Sequence, residues 1–209
     1  LAMFPVLVAL ALAGGLPELP EGLVCSTFSI AAVDTAAGEC GVAVASKVLA
    51  VGYIVPWVEC GGGAVATQAL ANVSLGPSGL ELLAGGLSAG EALEVLISTD
   101  EGFQDRQVGI VDADGGSATF TGSDTYAWAG GVSGPGYAIQ GNILTGPEVI
   151  AAMEETFLST AGPLSYRLVR ALSAGDSAGG DSRGRQSAAL LVHRPGGGYQ
   201  GVGDVLVDI

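Results

Sequence analysis

Basic residues are almost missing from this chain. Lys47 is its sole lysine, and seven Lys and Arg stand against 21 Asp and Glu, a net charge of −14. Phosphate backbones are bound by clustered Lys and Arg, so this balance argues against a nucleic-acid partner. An acidic surface chiefly serves solubility. Histidine is rarer still. His193 stands alone ahead of Pro195-Gly196, and any Ser-His-Asp triad would have to use it. Neither a Gly-x-Ser-x-Gly elbow nor a phosphate-binding loop accompanies it, and it reads as an edge-strand residue. A metal centre would have to be made from carboxylates alone, which do not cluster, so neither a metal nor another cofactor is expected.

Cysteine is sparse as well. Cys25, Cys40 and Cys60 fit no zinc spacing. If Cys25 leaves with a leader, an even pair remains, open to a disulfide in an exported protein or to two buried free thiols. Long hydrophobic runs are absent too. The apolar run 4–13 has signal-peptide length and is too short for a stable membrane span. It lacks a basic flank, and the chain begins with Leu1. Val24-Cys25-Ser26 puts a small residue at the last position, and an allowed one three back, for a cut before Thr27. Residues 1–26 therefore read as a leader-like segment and 27–209 as a single domain. The protein is expected to be exported, periplasmic or extracellular, if the leader is genuine, and cytoplasmic otherwise. The bland alternative is a leader of no consequence. A lipoprotein anchor at Cys25 is poorly matched by Gly22-Leu23-Val24.

Glycine, by contrast, is plentiful at 35 residues, a composition of tight turns and close-packed small side chains. About 180 residues beyond the leader are enough for a sizeable core. Thr27–Asp34 alternates small hydroxyl and apolar residues and reads as a strand. Residues 34–38 turn the chain, and 41–47 return as a second strand. Further strands are predicted at 51–59, where Pro56-Trp57 argues for an edge or a bulge, and at 63–69, 107–112, 117–121, 136–144, 186–193 and 202–209. Residues 72–79 read as a loop. Ser88 with Glu91 forms a capping box opening a helix over 89–98. Pro147 suits the first turn of a helix to about residue 157, and Pro163 opens another to about residue 174. Strands, helices, strands, helices, strands fit an α+β fold, two mainly antiparallel sheets packed face to face with helices outside.

Thr27 carries the chemistry. Freed at the N-terminus it would hold a hydroxyl nucleophile and an α-amine base, with a pKa near ~8, in one residue. A hairpin of the first two strands sets Ser46 beside Thr27. Lys47, at the same strand end, offers an ammonium that would lower the amine's pKa or steady an oxyanion, or it is simply a solvated strand-end lysine. Asn142, after Gly141, suits an oxyanion hole or a turn cap. Thr67, Gln68 and Asn72 are candidates to orient a substrate amide. Asp181, Arg183 and Arg185 concentrate charge in one loop and suit a carboxylate, or the arginines form structural ion pairs with Asp176 or Asp181. Trp57 and Trp128 line a pocket or fill the core, with core the expectation for Trp128.

Several stretches resemble one family. They are Thr27-Phe28-Ser29-Ile30, residues 41–47, Val55-Pro56-Trp57, Gly63-Ala64-Val65-Ala66-Thr67-Gln68-Ala69, Arg106-Gln107-Val108-Gly109-Ile110-Val111-Asp112, Gln140-Gly141-Asn142-Ile143-Leu144 and 179–188. Together they resemble the domain of unknown function 1028, grouped with the Ntn-hydrolase superfamily. The resemblance implies a four-layer α-β-β-α sandwich and an amidohydrolase activity, with no substrate specified. Cys40 and Cys60 depart from the aliphatic or small residues expected there, which favours a disulfide between them. The reading that follows is an Ntn-type hydrolase cleaving a small amide or ureide-like C–N bond. Thr27 is its nucleophile, Asn142 its oxyanion donor, Ser46 and Lys47 its support, and a homodimer fits the precedent. The alternatives are a non-catalytic ligand-binding module on the same scaffold, or an enzyme using Ser46 or Ser29 internally.

Overall fold

Alternating small and apolar side chains build the central hairpin. The structure, a computed structural model, describes residues 24–25 and 27–209. The rest of the leader-like segment, including the proposed cut after Ser26, lies outside the described residues. β1 (Val24–Cys25) is followed by β2 (Thr27–Asp34) and β3 (Glu39–Ser46), which pair from Thr27↔Ser46 to Asp34↔Glu39. Asp34 Oδ1 closes the turn by accepting the N–H groups of Ala36 and Ala37, and Gly38 supplies the left-handed φ of +67°.

The remaining strands are β4 (Pro56–Glu59), β5 (Gly63–Leu70), β6 (Arg106–Asp112), β7 (Ser117–Thr121), β8 (Gly130–Gly134), β9 (Tyr137–Asn142), β10 (Ser187–His193) and β11 (Val205–Asp208). Every pairing is antiparallel. One sheet runs β1-β5-β6-β7 with β4 alongside β5. The other runs β11-β10-β3-β2-β9-β8. Four α-helices complete the α+β fold among the described residues: α1 (Leu75–Ala84), α2 (Ala89–Thr99), α3 (Glu148–Ser159) and α4 (Leu164–Ser177).

The period of two on β2 divides the core. Phe28 and Ile30 face α3 and α4, where they join Met153, Leu164 and Leu168. Ala31 and Val33 face the other sheet and meet Ala64, Ala66 and Val111. On the far side of that sheet, Val65 and Ile110 pack under Leu80, Ala92 and Leu96 of α1 and α2. α2 opens with the capping box foreseen from Ser88 and Glu91. Ser88 accepts from the Glu91 N–H, and Glu91 Oε2 takes the Ser88 N–H at 2.9 Å. Ser88→Ala is expected to cost about 1 kcal/mol, read as a lower urea midpoint with an unchanged m-value.

Five expectations change. Residues 75–79 are helical rather than loop. Pro77 falls in the first turn, where no N–H is needed, and Gly76 lets that turn lie directly on the Trp57 ring. Residues 51–59 are not one strand: a 3-10 turn at Val51–Tyr53 precedes β4, which pairs with β5 alone and places Pro56 on an edge. β8 was not foreseen, because Gly-Gly-Val-Ser-Gly has no apolar alternation to announce it. His193 is not on an edge strand, since β11 pairs with the outer side of β10. Cys40 and Cys60 are free thiols, not a disulfide.

Burial, then the nearby Cys60 and Asp112, push the Cys40 thiol up to about 11. The unfolded thiol ionises near ~8.5, so above that pH the native state holds a proton that the unfolded chain has lost. Stability is therefore present below pH ~8.5 and falls as the pH rises from there towards about 11. Cys40→Ala is expected to flatten that part of a stability–pH curve measured in urea.

Candidate active site

Four polar side chains form a row across one end of the six-stranded sheet. Register places Ser187 beside Ser46, Ser46 beside Thr27, and Thr27 beside Asn142. Directly paired residues of antiparallel neighbours share a face. The row therefore continues the face that carries Ser29, Ala31 and Val33 towards the other sheet. Thr27, Ser46 and Asn142 are all buried. Thr27 Oγ1 donates to Ser46 Oγ at 3.3 Å. Ser187 Oγ donates to the Val48 carbonyl and accepts the Val51 N–H at 3.1 Å. Upstream, β1 leaves this sheet and pairs Cys25 with Ala69 and Val24 with Leu70 on β5.

Beneath the row lie three glutamines, each fully buried. Gln68 Nε2 donates to the Thr27 carbonyl at 3.2 Å and to Gln107 Oε1 at 2.8 Å. Ser29 Oγ donates to Gln68 Oε1 at 2.6 Å, and Gln140 Nε2 donates to Ser29 Oγ at 2.7 Å. Asn142 Nδ2 donates to Gln107 Oε1 at 3.1 Å. Side-chain amides without partners are costly between two sheets. Here they supply each other, and they tie β2 and β9 of one sheet to β5 and β6 of the other.

A cavity of about 840 Å³ opens beside Ser46, between β3, α4 and the loop after α4. Phe28, Ala45, Val169 and Leu172 make its apolar wall, and Asp176, Asp181 and Arg185 its charged side. Thr27 does not line it; Ser46 is the contact between cavity and row. Asp181 is buried because the loop wraps round it. It accepts the backbone N–H groups of Lys47 at 3.0 Å and Arg183 at 2.9 Å, together with the Arg183 guanidinium. Arg185 Nε meets Asp176 Oδ1 at 2.6 Å. That hydrogen bond, then the charge of Asp176, holds the guanidinium above its ordinary pKa. Lys47 Nζ donates to the Arg185 carbonyl at 3.3 Å on the exposed rim.

The model of a family of unknown function, DUF1028, matches residues 27–209. The chain belongs to the DUF1028 family. It is also similar to the crystal structure of protein SPO2555 from Silicibacter pomeroyi, a structure described as DUF1028, with 34% identity and a TM-score of 0.76 over 81% of this chain and 76% of that one. No curated protein matches it significantly.

The DUF1028 fold thus gathers Thr27, Ser46, Asn142 and Gln68 at one point. It sets Asp181 and Arg185 on the wall of the neighbouring cavity, with Lys47 and Arg183 bonded to them. Thr67 and Asn72 go elsewhere. Thr67 Oγ1 donates to the Asn72 carbonyl at 3.2 Å. Asn72 spends its side chain on Asp100, at 3.2 Å, and on Ser74 ahead of α1. Trp57 donates Nε1 to the Ile54 carbonyl and packs on α1, and Trp128 is partly buried against the α3–α4 core. Gln107 and Gln140 were not singled out from the sequence, and Ser29, considered there as an internal nucleophile, is instead bound between Gln68 and Gln140. The available signal was a polar residue on an inward position of an otherwise apolar strand. Among the described residues of this DUF1028 chain, no group of three or more His, Cys, Asp or Glu is placed to hold a metal ion. Among the same described residues, no helix is long and apolar enough to cross a membrane.

Proposed function

We propose that this DUF1028 protein is an Ntn-type hydrolase that cleaves a C–N amide bond in a small substrate, with Thr27 as nucleophile once residues 1–26 are removed. One observation carries the reading. Thr27 is the first residue of the family match and the first of a central strand, with Ser46 3.3 Å from its hydroxyl and Asn142 in register on its other side. The packing of α1 and α2 on one sheet and α3 and α4 on the other supports the four-layer α-β-β-α sandwich of the Ntn superfamily. The leader reading makes the hydrolase an exported one.

The chemistry uses the chain's own groups. The Thr27 α-amine takes the hydroxyl proton as Oγ1 attacks the amide carbonyl. The tetrahedral oxyanion is held by Asn142 Nδ2 and backbone N–H groups. The protonated amine then gives its proton to the departing nitrogen, leaving an ester on Thr27, and a water activated by the same amine hydrolyses it. The apolar wall of the cavity suits an aliphatic part of the substrate, and Arg185 a polar or anionic end. Lys47, tied to the Arg185 carbonyl, supports the loop that carries these groups. The direct test is hydrolysis of short acyl p-nitroanilides that is present in the wild type and missing in Thr27→Ala.

A second reading rests on β1. Val24 and Cys25 are paired into the sheet with β5. A protein that keeps them has an amide, not an amine, at Thr27 and would act as a ligand-binding module.

A further inference from the structure

The buried glutamines do more than fill the space between the sheets. Their amide orientations are fixed from one end. Gln107 Nε2 lies 2.8 Å from the Gly141 carbonyl and 3.2 Å from the Gly130 carbonyl, with Thr121 Oγ1 at 2.9 Å. A backbone carbonyl only accepts. The Gln107 NH2 must therefore face β8 and β9, and its oxygen must face the other way. That oxygen takes two donors, Gln68 Nε2 at 2.8 Å and Asn142 Nδ2 at 3.1 Å. Gln68 is fixed in the same manner, because its Nε2 also faces the Thr27 carbonyl at 3.2 Å and its oxygen receives the Ser29 hydroxyl at 2.6 Å. The Ser29 proton is thereby committed, which leaves the Ser29 oxygen as the acceptor for Gln140 Nε2.

We infer that Gln107 is the positioning residue of this site: its side-chain oxygen holds the Asn142 amide with the NH2 end presented, and through Gln68 it ties the Thr27 backbone to the same point. The inference rests on the hydrolase reading for its catalytic consequence and on the hydrogen bonds alone for the orientation. An asparagine can present either end of its amide to an oxyanion, and only the NH2 end stabilises it. An acceptor that cannot turn round decides which end is presented. Gln107 touches neither substrate nor reacting atoms, so its effect passes through Asn142 and the Thr27 backbone. Its consequence falls on the transition state rather than on substrate binding.

Two measurements test this. In 15N-labelled protein, the Asn142 side-chain NH2 hydrogens, assigned by their loss in Asn142→Ala, are expected to exchange at least about 100-fold more slowly than those of an exposed asparagine. Gln107→Met is expected to accelerate that exchange at least about 10-fold. With short acyl p-nitroanilides, Gln107→Met is expected to lower kcat by about 10²-fold with KM unchanged, and to lower it by less than about 2-fold when Asn142 is already alanine. A purely structural role for Gln107 would give the same loss in both backgrounds and would overturn the inference, as would wild-type Asn142 hydrogens that exchange like exposed ones. If Gln107→Met does not fold, the wild-type exchange rate decides. If no acyl p-nitroanilide is turned over by the wild type, the hydrolase reading fails, while the exchange rate still decides whether Gln107 fixes Asn142.

Discussion

Replacing Thr27 with alanine is expected to remove at least about 10³-fold of kcat on short acyl p-nitroanilides, while the protein keeps its fold. The structural part of the change is small. The lost groups are one methyl and one hydroxyl, whose hydrogen bond to Ser46 is 3.3 Å long. Removing them from a buried position costs about 1–2 kcal/mol, a melting temperature lower by about 5 °C in a domain of this size. Thr27→Val separates the two effects. It keeps the branched shape and the α-nitrogen and removes only the hydroxyl, so its activity should fall as far as that of the alanine variant. Thr27→Ser keeps the hydroxyl and should retain measurable turnover. With an α-amine as base, kcat/KM should rise with pH and level off near or below the amine's ordinary pKa of ~8. Valine retaining full activity would show that the Thr27 hydroxyl is not the nucleophile.

Gly109→Ala is expected to be strongly destabilising, because its added methyl falls on the buried glutamine network. Gly109 lies on β6 opposite the Gln140 amide. A Cβ there would stand 2.0 Å from Gln140 Oε1 and 2.5 Å from its amide carbon. Gln140 has no solvent to turn into, and Ser29 and Thr119 hold its two ends. The methyl must either push the sheets apart or break the amide from its partners, and the two routes cost similar amounts. A loss of about 3 kcal/mol is expected, read from urea unfolding, with a melting temperature lower by about 10 °C. Gly90→Ala is the control. Gly90 is an exposed position in α2 with nothing within 4 Å of an added Cβ, and the same substitution should be neutral or should stabilise by up to about 1 kcal/mol. Equal losses at the two positions would show that the glutamine network is not what makes Gly109 intolerant.

What could be read from the sequence was whatever local pattern writes down. The alternation in β2 and β3 fixed the hairpin, and the hairpin placed Ser46 opposite Thr27. The Ser88–Glu91 spacing marked the start of α2. Local pattern failed where glycine interrupts it, as in β8, and where a proline inside the first turn looks like a loop, as at Pro77. It failed more instructively at the site. Gln107 belongs to β6 and Asn142 to β9, and nothing in either strand says that the other sheet will lie across it. Their meeting is a consequence of how two sheets pack, which no window of sequence contains. The same holds for Asn72. Its amide looked suited to a substrate, but the turn before α1 claimed it first. His193 was placed on an edge because the short final strand was not seen to pair beside β10.

The measurement closest to the central claim is the N-terminal sequence and intact mass of the protein exported from a native-like host, taken on the same sample that is assayed. The account predicts that the active chain begins at Thr27, with a free amine beside the hydroxyl. An active chain that retains Cys25 would contradict it, because the only base the mechanism provides would then be locked in a peptide bond.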